Sequence, residues 1–193
     1  NNIDFANKAK ILRNHGFASP RFLHYELGFN YRMTNIQAAI GLAQTEQAKI
    51  LVEKRIQNAS LYTSLLKQIP GITTPPKKEW AKNVYWMYGV LVDKDTFGMS
   101  AARLREELTK KGIDTRQFFI GMHQQPLYKK DDERFPNVNG SYPNSDYLTQ
   151  NGFYLPSSSS LKEHEIKYIV QSIKEIQQKN TENHNIQHNQ TII

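Results

Sequence analysis

The stretch from Gly28 to Gln44 contains residues whose types and order suit anion binding. Its first five residues place a flexible glycine, two aromatic rings, an amide and a guanidinium side by side. Thr34 or Asn35 can then serve as the N-cap of a helix. Because the free N–H groups and the dipole of a helix N-terminus favour negative charge, this loop can hold an anion. Residue types alone favour the simpler interpretation, a surface loop followed by a core helix.

A second dense stretch runs from Arg116 to Pro126. It combines an arginine, two phenylalanines and a histidine at the end of a predicted strand. Aromatic rings can cover the apolar faces of a sugar or a base, and a guanidinium pairs well with phosphate. The alternative is that Phe118 and Phe119 belong to the core and that His123 makes an ordinary hydrogen bond. Residue types leave both interpretations open.

Other candidates for chemistry are weaker. His184 and His188 have the spacing of helical metal ligands but no third ligand, so we expect no metal site. The acidic residues 131–133 follow two lysines and read as a solvated run of charges. The sequence contains neither a Gly-x-Ser-x-Gly nucleophile motif nor a Walker or Rossmann glycine-rich loop. Cysteine is absent, which excludes disulfides and thiol nucleophiles.

Composition limits the class of protein. A chain of 193 residues is long enough for one domain or one and a part. Its net charge of +7 comes from scattered Lys and Arg residues, which favours a solvated basic surface over a nucleic-acid interface. No apolar run has the length of a membrane span and no signal peptide is present, so we expect a cytoplasmic protein. The chain begins at Asn1 without an initiator Met, as expected of a processed or partial chain.

The elements that must position these residues follow from hydrophobic spacing. A short helix is predicted over 4–14 and a long helix over 34–69, ended by Pro70 and Gly71. The apolar residues of the long helix fall at helical spacing in both halves. In its first half they are Ile36, Ala39, Ile40 and Ala43, and in its second half Ala48, Leu51, Val52, Ile56, Ala59, Tyr62, Leu66 and Ile69.

Beyond Gly71 the pattern changes to alternating strands and helices. Strands are predicted over 72–74, 83–93 and 113–119, with a further extended piece at 153–156. Helices are predicted over 101–111, as a turn at 146–151, and from a Ser160–Glu163 capping box to about residue 178. The sequence therefore predicts an α+β fold, in which helices cover a small antiparallel or mixed sheet.

The stretch GFNYRMTNIQAAIGLAQ also resembles the signature of the DegT/DnrJ/EryC1/StrS family of sugar aminotransferases, which use pyridoxal phosphate. Three other segments fall in the family's order: RNHGF at 13–17, the segment 116–126, and GFYLP at 152–156. The segment 116–126 is most similar to the perosamine-synthase branch, which acts on a GDP-linked 4-keto-6-deoxy sugar. The resemblance covers residues 4 to 177.

This resemblance implies the C-terminal part of a fold type I aminotransferase. Residues 1–45 would be the end of the large cofactor-binding domain with its interface loop and helix. Residues 46–178 would form the rest of the long helix and a small C-terminal domain with a mostly antiparallel sheet and covering helices. Residues 179–193 lack apolar spacing, so we expect a disordered polar tail.

The resemblance also implies roles for individual residues. The family works as a homodimer with shared active sites, and Asn30 would reach the phosphate of the pyridoxal phosphate bound to the partner subunit. The substrates implied are a nucleotide-linked keto sugar and an amino donor, with glutamate expected, and we expect no membrane or nucleic-acid partner. The residues placed around the sugar nucleotide are His24, Tyr31, Arg32, Arg116, Phe119 and His123.

One departure from the family is decisive. Its chemistry needs a Schiff-base lysine, an aspartate at the pyridine nitrogen and an aromatic side chain on the cofactor ring. The resemblance implies that all three precede this chain, since Lys8 and Lys10 lie on a predicted surface helix. We therefore expect a chain that belongs to an aminotransferase but does not transaminate alone. The alternative from another class is a non-catalytic basic module for binding or interaction.

Overall fold

A computed structural model describes residues 1–129 and 134–190, and for residues 182–190 it describes the backbone alone. The chain divides into two compact units, Asn1–Lys49 and Ile50–Ile193. The sequence-based division places this boundary after residue 45 and remains a prediction about domains. No helix in the described part of the chain has the length and apolar character needed to cross a membrane.

The first unit contains helix α1 (Ile3–Arg13) and the start of helix α2 (Asn35–Leu66). Asn2 caps α1, because its Oδ1 accepts hydrogen bonds from the N–H groups of Asp4 and Phe5 at 2.9 and 3.1 Å. At α2, the N–H of Gln37 donates to Thr34 Oγ1 at 3.3 Å, and the N–H of Thr34 donates to Gln37 Oε1 at 2.9 Å. Of the two N-caps that the sequence allows, Thr34 takes the role, in a reciprocal capping box.

In its described residues, the second unit is built on a four-stranded antiparallel sheet. Its strands lie in the order β1 (Ile72–Thr73), β2 (Tyr88–Val92), β4 (Gly152–Leu155), β3 (Arg116–Gln117). Along β2, alternate residues are buried, as expected of a strand with one face on a core. The other elements are α3 (Lys94–Phe97), α4 (Ala101–Lys110), two 3₁₀ helices (Met122–Gln124 and Pro126–Lys129), α5 (Pro143–Asn151) and α6 (Glu163–Gln190).

The core of this unit combines the apolar stripes of α2, α4 and α6 with one face of the sheet. The side chains that are fully buried include Leu66, Leu104, Phe153, Ile166 and Ile173. Polar contacts tie α2 to the segment after β4, because Tyr62 donates to the carbonyl of Pro156 at 3.0 Å. The predicted α+β fold with a small, mostly antiparallel sheet is therefore confirmed.

Several predicted boundaries were wrong, for local reasons. The strand predicted over 83–93 begins only at Tyr88, since Tyr85 has a left-handed backbone (φ 48°) and its N–H donates to Asn83 Oδ1. The strand predicted over 113–119 shrinks to Arg116–Gln117, because the N–H of Ile113 completes the end of α4 on the carbonyl of Leu108.

Differences also occur toward the C-terminus. The predicted turn at 146–151 is a full helix, α5, with Pro143 in its first turn. At α6 the predicted capping box is replaced, since Glu165 Oε2 accepts from the N–H of Lys162 at 2.8 Å. Helix α6 continues to Gln190, whereas the sequence predicts disorder from residue 179. Here Asn180 Nδ2 donates to the carbonyl of Gly98 at 2.8 Å, and residues 191–193 lie outside the described part.

Candidate functional site

The loop that leads to Arg32 folds back on the end of α1 through two glycines in backbone contact. Gly16 has φ +70°, and a Cβ there would lie 2.6 Å from the carbonyl oxygen of Glu26. A Cβ on Gly28 would lie only 1.9 Å from the nitrogen of Gly16. Larger residues would therefore separate the two arms of the loop. The motifs at 13–17 and 28–32 thus each require a glycine where the arms touch.

Backbone hydrogen bonds fix the arm that carries Asn30. The N–H of His15 donates to the carbonyl of Phe29 at 2.9 Å, and the N–H of Tyr31 donates to the carbonyl of Arg13 at 2.9 Å. Asn30 itself forms an antiparallel bridge with Asn14. Since its neighbours on both sides are bonded, Asn30 has a fixed backbone position although the residue is exposed.

His24 and Tyr31 lie on the same loop in different surroundings. His24 Nδ1 is 2.9 Å from the carbonyl oxygen of His15, so this nitrogen carries the proton and donates. Its ring centroid lies 5.0 Å from that of Phe17. Tyr31 is 73% exposed and stacks on Phe29, with ring centroids 5.2 Å apart and planes inclined by 7°. His24 is therefore oriented by the loop, and Tyr31 presents a ring to the outside.

Arg32 belongs to a strongly positive cavity, which we call the basic cleft. It has a volume of about 490 Å³ and is lined by Lys10, Arg13, Asn14, Phe17, Ala18, Arg21 and Arg32. Four of these side chains are cationic and none is acidic. The arrangement suits an anion with several oxygens, such as a phosphate ester, because guanidinium groups donate in pairs.

Two further observations describe the walls of the basic cleft. The guanidinium carbon of Arg21 lies 4.9 Å from the ring centroid of Phe22, so a cation–π contact supports this side chain. Asn14 Oδ1 is buried and has no hydrogen-bond partner in the described part of the chain. A buried acceptor without a donor is costly, and a hydroxyl or N–H group of a ligand would satisfy it. Asn30 is not among the residues that line the basic cleft.

In the second unit, Arg116 and Phe119 flank an aromatic surface at the edge of the sheet. Arg116 pairs with Tyr154 across β3 and β4. The ring centroid of Phe119 lies 6.4 Å from that of Trp86 and 5.7 Å from that of Tyr154. Phe119 and Trp86 are 59% and 66% exposed, so their faces are accessible to a ligand.

Phe118 has the opposite role from its neighbour. Its ring stacks on Tyr154 at 4.4 Å and lies over Gly89 and Gly152, where added Cβ atoms would come within 2.7 and 2.3 Å of it. Phe118 is therefore a packing residue, whereas Phe119 is a surface residue. The interpretation of both phenylalanines as core residues was wrong for Phe119.

His123 is held by a partner that the sequence pattern did not reveal. Its Nε2 lies 2.7 Å from Asp146 Oδ1, and Gln124 donates to the same oxygen. These hydrogen bonds, chiefly the one with His123, lower the pKa of Asp146. Tyr142 stacks on the imidazole at 4.4 Å. With one nitrogen bonded and one face covered, the His123 ring has a fixed orientation.

The structure thus groups the predicted residues by unit. His24, Asn30, Tyr31 and Arg32 lie in the first unit, on or next to one loop. Sequence reasoning missed Lys10, Arg13 and Arg21 as companions of Arg32, although Arg13 opens the RNHGF segment. It also missed Asp146, because a contact across 23 residues leaves no local signal. The acidic run at 131–133 and the side chains of His184 and His188 lie outside the described part.

Comparison with known proteins gives a consistent result. The model of the DegT/DnrJ/EryC1/StrS aminotransferase family matches residues 1–174. The chain is 32% identical over 155 residues to GDP-perosamine synthase of Escherichia coli O157:H7, covering 80% of this chain and 39% of that protein. It is 30% identical over 190 residues to the uncharacterized protein MJ1066 of Methanocaldococcus jannaschii, covering 93% of this chain and 48% of that protein.

Solved structures share the fold. The aminotransferase PseC of Helicobacter pylori, involved in the biosynthesis of pseudoaminic acid, superposes with a TM-score of 0.77 at 24% identity. That alignment covers 93% of this chain and 47% of PseC. The chain therefore spans less than half the length of the relatives described here.

Proposed function

Because this chain belongs to the DegT/DnrJ/EryC1/StrS aminotransferase family, we propose that it is the C-terminal portion of a nucleotide-sugar aminotransferase. The reaction moves an amino group, with glutamate as donor, to a 4-keto-6-deoxy sugar nucleotide in the cytoplasm. Similarity to GDP-perosamine synthases of about 30% identity supports this substrate class. Pyridoxal phosphate, when bound, supplies the electron sink for the transfer.

The basic cleft is the observation that carries the proposal. A sugar nucleotide bears a diphosphate, and the cleft offers four cationic side chains with no acidic one. Arg32 lies in this cleft and is the residue we assign to the anionic part of the substrate. Charge-assisted bonds from guanidinium groups are roughly twice as strong as neutral ones, so they suit this task.

Asn30 is the residue assigned to the cofactor. Asn30 is an exposed residue on an arm that is fixed by the backbone hydrogen bonds of His15 and Tyr31. A polar group on a fixed, exposed arm can serve a ligand held by another chain, because little conformational entropy is lost on contact. This supports the proposal that Asn30 contacts the cofactor phosphate of the partner subunit in a homodimer.

The remaining assigned residues would shape the sugar-nucleotide site. His24 and Tyr31 extend the loop of Arg32, and Phe119 with Trp86 offers an apolar surface for a ring. Arg116 lies on strand β3, shortly before Phe119 in the chain. His123 would present a ring whose orientation is fixed, because Nε2 is bonded to Asp146. Each of these contacts is a proposal about the assembled enzyme.

The lysine that the chemistry requires is proposed to lie outside this chain. We expect that the chain incubated with pyridoxal phosphate and borohydride carries no specific adduct on any one lysine, measured by mass spectrometry. Stoichiometric labelling of a single lysine would contradict the proposal.

A chimera tests the function directly. The N-terminal part of the E. coli GDP-perosamine synthase would be joined to this chain and assayed for amino-sugar formation from a GDP-linked 4-keto-6-deoxy sugar and glutamate. We expect activity that falls by about tenfold or more in Asn30→Ala and Arg32→Gln, as for the loss of one charge-assisted contact. A folded chimera that binds the cofactor but forms no amino sugar would overturn the proposed substrate class.

A further inference from the structure

A second positive cavity lies in the second unit, between the C-terminal half of α2 and the segment that precedes β2. Its volume is about 770 Å³, within the range of ordinary ligand sites. We call it the lysine pocket. The residues that matter for its chemistry are Ser60, Lys67, Lys77, Lys82, Asn83 and Tyr85. None of them lines the basic cleft.

The charge of the lysine pocket is uncompensated. Lys67, Lys77 and Lys82 line it, and no aspartate or glutamate does so in the described part of the chain. The ion pairs of the described residues involve other lysines, such as Lys111 with Glu175 at 2.6 Å. The three lysines are exposed, and each of their ammonium groups would attract an anion bound in the cavity.

Hydrogen bonding within the pocket leaves mainly donors free. Thr63 Oγ1 is bonded to the hydroxyl of Tyr88 at 2.7 Å, and Ser64 Oγ donates to the carbonyl of Leu61 at 2.8 Å. Asn83 Oδ1 accepts from the N–H of Tyr85 at 2.8 Å. The Asn83 amide nitrogen and the three ammonium groups remain, and they can only donate; the hydroxyls of Ser60 and Thr74 also line the pocket and can donate or accept. Such a cavity fits a ligand rich in acceptor oxygens.

The wall of the pocket is held in place by strained and bonded residues. Tyr85 has φ 48°, an uncommon backbone conformation for a residue with a side chain, and its ring lies 6.2 Å from that of Tyr88. Arg55 Nη1 donates to the carbonyl of Trp86 at 3.0 Å, which anchors the same segment to α2. The pocket is therefore shaped by contacts within the second unit.

We propose that the lysine pocket binds a diphosphate group, either free or as part of a nucleoside diphosphate. Lysine acts as a point charge toward phosphate, and three lysines match the charge of a diphosphate. Tyr85 and the prolines at 75 and 76 offer apolar surface for an attached organic group. The inference needs neither pyridoxal phosphate nor transamination, so it stands apart from the proposed function.

Lysine footprinting locates the ligand. The 193-residue chain would be acetylated with and without about 1 mM inorganic diphosphate, a level that saturates a micromolar site. We expect acetylation of Lys67, Lys77 and Lys82 to slow by about threefold or more, as for ammonium groups in charge-assisted contact. Lys94 and Lys162, which do not line the pocket, serve as internal controls. Equal protection of all lysines, or none in the pocket, would overturn the proposal.

Variants with matched charge give the second test, by calorimetric titration with inorganic diphosphate. Lys77→Gln with Lys82→Gln should weaken binding by about tenfold or more, and Lys94→Gln with Lys162→Gln by about twofold at most. Circular dichroism checks that each variant is folded. If Arg13→Gln with Arg21→Gln abolishes binding while the pocket variants do not weaken it, the site is the basic cleft and the proposal fails.

The source of the diphosphate is resolved by three ligands. ADP binding more tightly than inorganic diphosphate would show that the attached nucleoside also contacts the pocket, and equal binding would identify the free anion. Both outcomes support the proposal. Adenosine binding as tightly as ADP would overturn it, because the diphosphate would then contribute nothing.

Discussion

The two units of this chain hold their shape by different means. In the first unit, all of whose residues the structure describes, Gly16 is the one buried residue. The second unit buries a continuous apolar core with Leu66, Leu104 and Ile173 at 0% exposure. The first unit is therefore defined by backbone hydrogen bonds and glycine contacts, and the second by side-chain packing.

The difference is sharpest within α2, because the helix has the same apolar spacing in both halves. Tyr62 and Leu66 are 1% and 0% exposed, whereas Ile36 and Ile40 are 76% and 63% exposed. A helix face of this kind gains its stability from a partner surface. We expect the first unit to depend on protein outside it, which is consistent with a chain that spans less than half the length of its relatives.

The largest contrast should come from truncating one apolar side chain in each unit. Phe153→Ala removes a fully buried ring from β4 and should lower the free energy of unfolding by about 3–5 kcal/mol. Ile40→Ala removes an exposed side chain and should change it by less than about 0.5 kcal/mol. Urea unfolding followed by circular dichroism measures both. Similar losses in the two variants would show that the first unit has a core of its own.

A glycine substitution tests what holds the loop of the first unit. Gly28→Ala places a Cβ 1.9 Å from the nitrogen of Gly16, so the two arms must separate, at a cost of about 2 kcal/mol. Amide hydrogen exchange at His15 and Tyr31 should then accelerate by roughly thirty-fold. Exchange in β2 should not change.

Gly41→Ala is the matched control for this loop. Gly41 lies in α2 and nothing stands within 4 Å of an added Cβ. Alanine there should leave the loop intact and stabilise the helix by up to about 1 kcal/mol. If both variants leave exchange at His15 and Tyr31 unchanged, glycine contact does not hold the loop.

The sequence predicted the buried positions of the second unit better than those of the first. The physical reason is again that an apolar helix face needs a partner surface. Helices were predicted over 101–111 and from Ser160–Glu163 to about residue 178, and Leu104, Leu108 and Ile173 in these helices are at 0% exposure. The same type of pattern at Ile36 and Ile40 lies on a face that is exposed here. Hydrophobic periodicity indicates that a helix face can be buried, but the surface that covers this face is decided by the tertiary structure.

For the candidate site, too, some features could be predicted from the local sequence and others depend on long-range contacts. The sequence and its family resemblance single out Asn30, Arg32, Phe119 and His123, and their roles in a site remain predictions. The contacts of these residues were not predictable, because Trp86 contacts Phe119 and Asp146 contacts His123 across long stretches of chain. A charge cluster such as the basic cleft also forms only when α1 and the loop meet. Residue types indicate which chemistry is possible, and the tertiary structure determines which of these groups lie close together.

The smallest effect concerns the His123–Asp146 contact in the second unit, where polar rather than apolar contacts hold a loop. Because its folded-state pKa is lowered, Asp146 stabilises the fold above the usual pKa of aspartate, and this contribution is lost as pH falls through the lowered value. Asp146→Asn should therefore reduce stability at about pH 6 and have less effect at about pH 3.

Urea unfolding at both pH values measures this difference, with Asp114→Asn as the control for removing an exposed carboxylate. A variant that loses equal stability at both pH values would show that the carboxylate charge is not what matters. The contact would then act through shape alone, as the packing of Phe118 does. A loss of stability that depends on charge would instead show that directed hydrogen bonds hold the segment around His123. In this respect the segment would resemble the loop of the first unit, which backbone hydrogen bonds hold at an exposed surface.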